Sequence, residues 1–178
     1  MGISHCEIAL LITGLVTIAY QLFFFFIAAY YKFDKVTDLA GGSNFVIIAI
    51  IIFCMYAAPD PSHRQIANTA LVLVWGVRLS AFLLYRVVKF ETDGRFDGTR
   101  EDFCKFLAFW VFQMFWVWVV SLPVTYVNST GQNVRSELNA TDVAGLLIAS
   151  MGLVVESLAD QTKFNFKYDA IIGALNLA

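Results

Sequence analysis

Residues 106–127 read FLAFWVFQMFWVWVVSLPVTYV, a stretch that contains no charged side chain. As a helix that rises about 1.5 Å per residue, it is long enough to cross a hydrocarbon core roughly 30 Å thick. Its aromatic side chains are too many for an interfacial belt alone, so most of them are expected to pack between helices or to meet lipid. This stretch therefore predicts a transmembrane helix.

Four further apolar runs, residues 8–31, 39–58, 65–85 and 143–158, raise the prediction to about five spans. The second run is uninterrupted only over residues 45–58, so it spans only if residues 39–44 also enter the bilayer; a re-entrant segment is the alternative. A composition of 59% hydrophobic and 15% charged residues excludes an ordinary soluble domain. The predicted fold class is all-α, a polytopic transmembrane helix bundle in which residues 1–178 form a single integral membrane domain.

The connections between the first three spans carry local signals. Gly41-Gly42, in the polar connection of residues 32–44, allows either a close turn or tight helix packing. Ser62, with Gln65 three residues later, has the spacing of a capping box at the start of the third helix.

Residues 128–142 are expected to form a polar loop between the last two spans. The loop contains two acceptor sequons, at Asn128 and Asn139. Thr141 or Asp142 can cap the fifth helix.

The distribution of basic residues predicts the orientation of the chain in the membrane. With five spans, the side that holds the N-terminus carries only Arg64 and Arg135, whereas the other side carries nine lysines and arginines. By the positive-inside rule the N-terminus is non-cytosolic and the C-terminus cytosolic, in the endoplasmic reticulum if the protein is eukaryotic. Both sequons then fall on the non-cytosolic side. No basic tract suggests a nucleic-acid partner, and membrane lipids are the expected surroundings.

Two predicted spans contain ionisable residues, which are expensive inside a membrane and mark functional sites by default. Arg78 lies within the third span, on the helical face that also carries Arg86. Glu156 lies in the fifth span, and Asp160 and Lys163 follow it at i+4 and i+7. Arg78 and Glu156 are predicted to lie at similar depths and to line one cavity that opens to the cytosol.

Four motifs combine into a resemblance. They are Trp75-Gly-Val-Arg78-Leu79-x-x-Phe82-Leu83-x-x-Arg86, Asp93-x-Arg95-Phe96-Asp97, Phe106-x-x-Phe109-Trp110-x-x-Gln113 and Glu156-x-x-Ala159-Asp160-x-x-Lys163-Phe164. In combination they resemble the DUF1295 proteins, relatives of the steroid 5-alpha-reductases. The resemblance implies an NADPH-dependent reductase that acts on a carbon–carbon double bond in a lipid-like small molecule.

The resemblance also implies where the cofactor would bind. Glu156 and Asp160 match the spacing of an acid or amide and an aspartate that line the dinucleotide pocket of steroid reductases, and Arg78 matches an arginine of their third-helix motif. The remaining cofactor-binding candidates are Arg86, Arg95 and Lys163. Phosphates are further expected near Arg95, Arg100 and Lys105, three basic residues of the connection that follows the third span. The alternative is that these are ordinary positive-inside charges balanced by the adjacent acidic residues.

Two departures from the family pattern qualify what the resemblance implies. Trp75 stands where the steroid reductases have a catalytic tyrosine, so the catalytic residues are left open and a steroid substrate is not supported. The family continues with a further segment and helices after the point at which this sequence ends, so the chain is expected to lack the C-terminal helices of its relatives.

Two other functions are compatible with the same features. A methyltransferase of the isoprenylcysteine type would bind S-adenosylmethionine beside a lipid groove. A non-enzymatic structural membrane protein would use Arg78 and Glu156 only as an internal ion pair.

Overall fold

The computed structural model describes residues 4–31, 36–89, 102–130 and 138–175, with side chains up to residue 170. All five predicted spans are helical, and the described residues contain no strand. Each helix is long and apolar enough to cross a membrane. The all-α, multi-pass fold is therefore confirmed, with helices α1 (His5–Tyr31), α2 (Val36–Ile52), α3 (His63–Lys89), α4 (Phe103–Ser129) and α5 (Ala140–Leu175).

The chain divides into two compact units, each described by itself below. Residues Met1–Leu138 form the first unit, which contains α1 to α4, and Asn139–Ala178 form the second, which contains α5. That residues 1–178 form a single integral membrane domain stays a prediction.

The second span does include the polar residues 39–44. Helix α2 begins at Val36 and is extended by a π-helical turn, Phe53–Ala57, in which the Ala58 N–H donates to the Phe53 carbonyl (3.1 Å). This turn brings the span to 22 residues, about 33 Å, which removes the need for a re-entrant segment. The chain leaves the helix at Pro59, which cannot donate a helical hydrogen bond.

The predicted capping box at the start of α3 is confirmed. The Ser62 N–H donates to Gln65 Oε1 (2.9 Å), and the Gln65 N–H donates to Ser62 Oγ (3.3 Å). Two backbone donors that the helix cannot satisfy itself are thereby bonded.

The predicted N-cap of α5 is wrong, because neither Thr141 nor Asp142 is the N-cap. The Asp142 N–H donates to Asn139 Oδ1 (2.9 Å) and the Asn139 N–H donates to Asp142 Oδ2 (3.0 Å), so Asn139 is the N-cap. Thr141 lies inside the first turn, and Asp142 is the acidic residue of a capping box, whose carboxylate accepts from the N-cap backbone. An asparagine caps as well as a threonine, and only Asn139 has the matching acid three residues later.

Helices α1 and α2 pack antiparallel. The Gln21 side chain donates to the Ala40 carbonyl (3.4 Å), and the Tyr20 hydroxyl lies 2.9 Å from Ser43 Oγ. Residue numbers thus decrease along α1 in the direction in which they increase along α2.

Helices α2 and α3 are also antiparallel, and their backbones approach closely. A Cβ atom added at Gly42 would lie 2.8 Å from Ser80 Oγ, and one added at Gly76 would lie 2.8 Å from a Val46 methyl group. Of the two roles open to Gly41-Gly42, a turn and tight packing, the structure shows tight packing, because both residues are buried within α2.

Helix α4 runs in the same direction as α2. The Gln113 amide lies against Gly41, and one turn further along both helices the rings of Phe45 and Trp116 are 5.2 Å apart. The buried part of α4 also packs on α1, where Trp110 and Phe25 have ring centroids 6.1 Å apart.

The interior of the first unit is unusually polar, and its exterior is apolar. The buried residues of α1 recur every three or four positions and include Thr13, Thr17 and Gln21. Leu15 and Phe26, on the other side of the same helix, are 66% and 63% exposed. An apolar exterior of this kind suits a lipid solvent, in which polar groups find their partners between helices.

The aromatic residues of α4 divide between the two predicted environments. Trp110 is completely buried, and the Trp118 indole N–H donates to the Leu10 carbonyl (3.3 Å). Phe112 and Phe115 are 71% and 61% exposed, as expected for side chains that meet lipid.

The expected polar loop begins later than residue 128. Helix α4 continues through Ser129, and Asn128 is completely buried, where its amide donates to Thr69 Oγ1 (3.0 Å). The Asn128 carbonyl also accepts from the Gln65 amide (3.2 Å). Asn128 therefore holds α4 against α3. Because its side chain is buried between helices, this sequon does not support the predicted orientation.

Candidate functional site

Helix α5 carries the predicted acidic face. The helix is continuous from Ala140 to Leu175, so Glu156, Asp160 and Lys163 fall on one side of it at i, i+4 and i+7. Glu156 lies within the candidate membrane span, Ala140–Ala170, toward the end of its apolar run. The sequence-based placement of these three residues on one helical face is thus confirmed, whereas their cofactor-binding role stays a prediction.

The two predicted arginines of the first unit lie on α3. Arg78 and Arg86 are eight residues apart, about 12 Å along the helix. Both side chains are partly buried, and the Arg78 Nε atom is fully so. Because Arg78 and Glu156 belong to different units, their common cavity stays a prediction.

The Arg86 guanidinium forms an ion pair with the Asp38 carboxylate. Asp38 lies in the first turn of α2 and Arg86 in the last turn of α3, where each charge is favoured by the dipole of its own helix. The antiparallel packing of these helices then sets the two charges side by side. This carboxylate partner of Arg86 was not predicted from the sequence.

A hydrogen-bonded polar centre joins α1, α2 and α4. The Gln113 side-chain amide donates to the Thr37 carbonyl (2.9 Å) and to Gln21 Oε1 (3.2 Å). Gln113 is 8% exposed and Gln21 is completely buried. Gly41 makes room for this centre, since a Cβ atom there would lie 2.9 Å from Gln113 Nε2.

The start of α4 holds a second pair of charges. The Asp102 carboxylate accepts from the backbone N–H groups of Lys105 (3.2 Å) and Cys104 (3.0 Å), and the Lys105 ammonium lies 3.3 Å from it. These bonds, the one from the Lys105 backbone first among them, lower the pKa of Asp102 from its ordinary value of 3.8. Lys105, a predicted phosphate ligand, is thus paired with the N-cap; Arg95 and Arg100 lie outside the described residues.

The Asp102 cap predicts a specific dependence of stability on pH. A carboxyl whose pKa is lowered by folding stabilises the folded state above its unfolded pKa, and this contribution is lost as the pH falls through the lower, folded pKa. We therefore expect the wild type to have a slightly higher Tm than Asp102→Asn at neutral pH, because asparagine still caps but carries no charge. The difference should begin to shrink as the pH falls through the ordinary value of 3.8, should vanish below the lowered pKa of the folded state, and should shrink in high salt. Thermal unfolding of both proteins in detergent across this range provides the measurement; a Tm difference that grew in acid would contradict it.

Comparison with known families identifies the group to which the chain is related. A family model described as a protein of unknown function, DUF1295, matches residues 24–173. The chain belongs to the DUF1295 family. The matched residues of this DUF1295 chain include all four motifs from which the family was predicted. Comparisons with curated proteins and with solved structures gave no match.

Several polar residues of this DUF1295 protein were missed as site residues by sequence reasoning. Gln113 was noted only as part of a motif, and Gln21 and Asp38 were not singled out. The four-residue spacing of Thr13, Thr17 and Gln21 in an otherwise apolar span could have indicated a polar buried face. No comparable signal in the sequence identifies Asp38 as the partner of Arg86.

Proposed function

We propose that this DUF1295 protein is a membrane-embedded reductase that uses NADPH to reduce a carbon–carbon double bond in a lipid-like substrate. The observation that carries the proposal is Glu156 within a helix that is long and apolar enough to span a membrane, with Asp160 one turn further along the same face. Ionisable groups at such positions are costly and are retained where they serve a polar ligand. The resemblance of the Glu156 motif to that of the steroid reductases supplies the class of ligand.

The chemistry of the candidate residues fits a dinucleotide. The carboxylates of Glu156 and Asp160 can accept hydrogen bonds from ribose hydroxyls or from the carboxamide of nicotinamide. The guanidinium of Arg78 and the ammonium of Lys163 suit phosphate oxygens. Bound NADPH would supply a hydride to one carbon of the double bond, and the other carbon would take up a proton.

Arg86 fits a cofactor-binding role less well than Arg78. Its guanidinium already forms an ion pair with Asp38, so a phosphate would have to share this guanidinium or displace the carboxylate. Asp38 would also repel a phosphate bound nearby. We infer that Arg86 contributes mainly to the packing of α2 against α3.

Calorimetric titration of NADPH into the protein in lipid nanodiscs tests the proposal. Glu156→Ala should weaken NADPH binding about ten- to hundredfold, since hydrogen bonds to a charged group contribute about 1.5–3 kcal/mol. Ser150→Ala is the matched control on α5, because the Ser150 hydroxyl donates to the carbonyl of Leu146 in its own helix (2.7 Å) and to no other described residue. It should leave the affinity for NADPH unchanged.

Three other outcomes would replace parts of the proposal. Equal NADPH affinity in the wild type and in Glu156→Ala would remove Glu156 from the cofactor site. Binding of S-adenosylmethionine without binding of NADPH would favour the methyltransferase. Binding of neither cofactor would favour a non-enzymatic membrane protein.

A further inference from the structure

The interior of the first unit contains a buried amide that none of the described residues satisfies. Asn44, on α2, is completely buried, and neither Oδ1 nor Nδ2 has a hydrogen-bond partner among the described residues. The Ser121 hydroxyl, on α4, is in the same situation at 2% exposure. Asn128 offers the contrast, since it is equally buried but exchanges hydrogen bonds with Thr69 at 3.0 and 3.4 Å.

The register of α1 and α2 places an acceptor opposite Asn44. Gln21 donates to the Ala40 carbonyl, and the two helices are antiparallel. Thr17 lies one turn before Gln21, and Asn44 lies one turn after Ala40, so these two residues share a level, on the helical faces that carry Gln21 and Ala40. The Thr17 hydroxyl donates to the Thr13 carbonyl (2.7 Å), which leaves its oxygen lone pairs to accept a further hydrogen bond.

The register of α2 and α4 places Ser121 between one and two helical turns beyond Asn44. Gly41 lies against Gln113, and the two helices run in one direction. Asn44 is three residues beyond Gly41, and Ser121 is eight residues beyond Gln113. The Cα atoms of Asn44 and Ser121 are therefore offset by about 7.5 Å along the axis of the bundle, a distance that the two side chains and one or two hydrogen-bonded water molecules can bridge together.

We propose that one or two ordered water molecules are bound between α1, α2 and α4, where they bridge the Asn44 amide to Thr17 and to Ser121. The groups at this site are neutral donors and acceptors, which suit a water molecule and not an ion. Burial of an amide without partners is strongly unfavourable, and native proteins rarely leave both of its atoms unbonded. The water extends the polar centre formed by Gln21 and Gln113 by about one turn toward the middle of the bundle.

Water-edited solid-state NMR of the wild-type protein in lipid bilayers tests this site without any substitution. The pairs Ser43-Asn44 and Val127-Asn128 each occur once in the sequence, so selective labelling of the two residues of each pair identifies both asparagines. The Asn44 side-chain amide should receive magnetisation from water several times faster than the Asn128 amide, which is equally buried but bonded to protein. Equal, slow transfer to both amides would overturn the proposal.

A variant gives a second, independent readout. Asn44→Leu has a similar volume but no polar atom, so it should abolish the transfer of magnetisation from water to Thr17. Transfer to Thr17 that persisted in the folded variant would show that its water does not depend on Asn44, and would equally overturn the proposal. If the variant does not fold, the comparison of Asn44 with Asn128 in the wild type decides alone.

Discussion

Gly42→Leu should prevent stable packing of the first four helices, and we expect it to cost about 3 kcal/mol or more, at the upper end of the range for overpacking a core. A Cβ atom at this position would lie 2.8 Å from Ser80 Oγ and 3.4 Å from the Ser80 Cα atom, and the rest of a leucine side chain would meet the α3 backbone. Helices α2 and α3 would have to separate, which would also disrupt the ion pair between Asp38 and Arg86. Unfolding in a graded mixture of mild and denaturing detergents measures the loss.

The matched control for Gly42→Leu is Ala81→Leu, which adds a similar volume at an exposed position of α3. It should leave the unfolding midpoint nearly unchanged. A smaller substitution isolates the responsible contact: Gly42→Ala should be only mildly destabilising, since the nearest atom is a side-chain oxygen that can rotate away. Adding Ser80→Ala removes that oxygen and should restore part of the stability. If Gly42→Leu were as stable as Ala81→Leu, the close approach of α2 and α3 would be refuted.

Gln113→Leu should destabilise the first unit by about 1–3 kcal/mol, because Gln113 donates two hydrogen bonds in a water-poor interior. Leucine has a suitable volume but leaves Gln21 Oε1 buried without its donor. The cost thus comes mainly from the polar group that is left behind and only partly from the bonds that are lost. The same detergent-unfolding measurement applies.

A double variant separates this cause from a simple packing defect. Gln21→Leu together with Gln113→Leu removes both polar side chains, and we expect it to be less destabilising than the sum of the two single changes by about 0.5 kcal/mol or more. Phe112→Leu is the control on α4, since Phe112 is adjacent to Gln113 in the chain but 71% exposed. Strictly additive effects of the two glutamine substitutions would argue against a direct interaction between these side chains.

The sequence by itself determined the features of this protein that depend on one helix at a time. Inside a membrane a helix satisfies its own backbone, so the length and hydropathy of each apolar run were enough to predict five spans. The capping box of Ser62 and Gln65 involves residues three positions apart, and the common face of Glu156 and Asp160 follows from helical periodicity alone. The family followed from motifs that are also contained in single segments.

Helix ends were predicted less well, because several residues near each end can cap. Asn139 was placed in a loop as a sequon, and Thr141 was an equally acceptable N-cap by residue type. Asn128 was assigned to the same loop because a polar residue after an apolar run usually marks the membrane surface. Its burial against Thr69 depends on the neighbouring helix, which the sequence of α4 does not specify.

Only the tertiary structure decided which polar groups meet. Gln21 and Gln113 are 92 residues apart in the chain, and Asp38 and Arg86 are 48 apart. An uncharged polar side chain in an apolar span can face a neighbouring helix or bond to the backbone of its own helix, and local sequence does not distinguish these choices. The order, direction and separation of the helices decide which of these two partners a polar side chain takes. Gly41, which leaves room beside the Gln113 amide, shows how a missing side chain on one helix fixes the partner of a polar group on another.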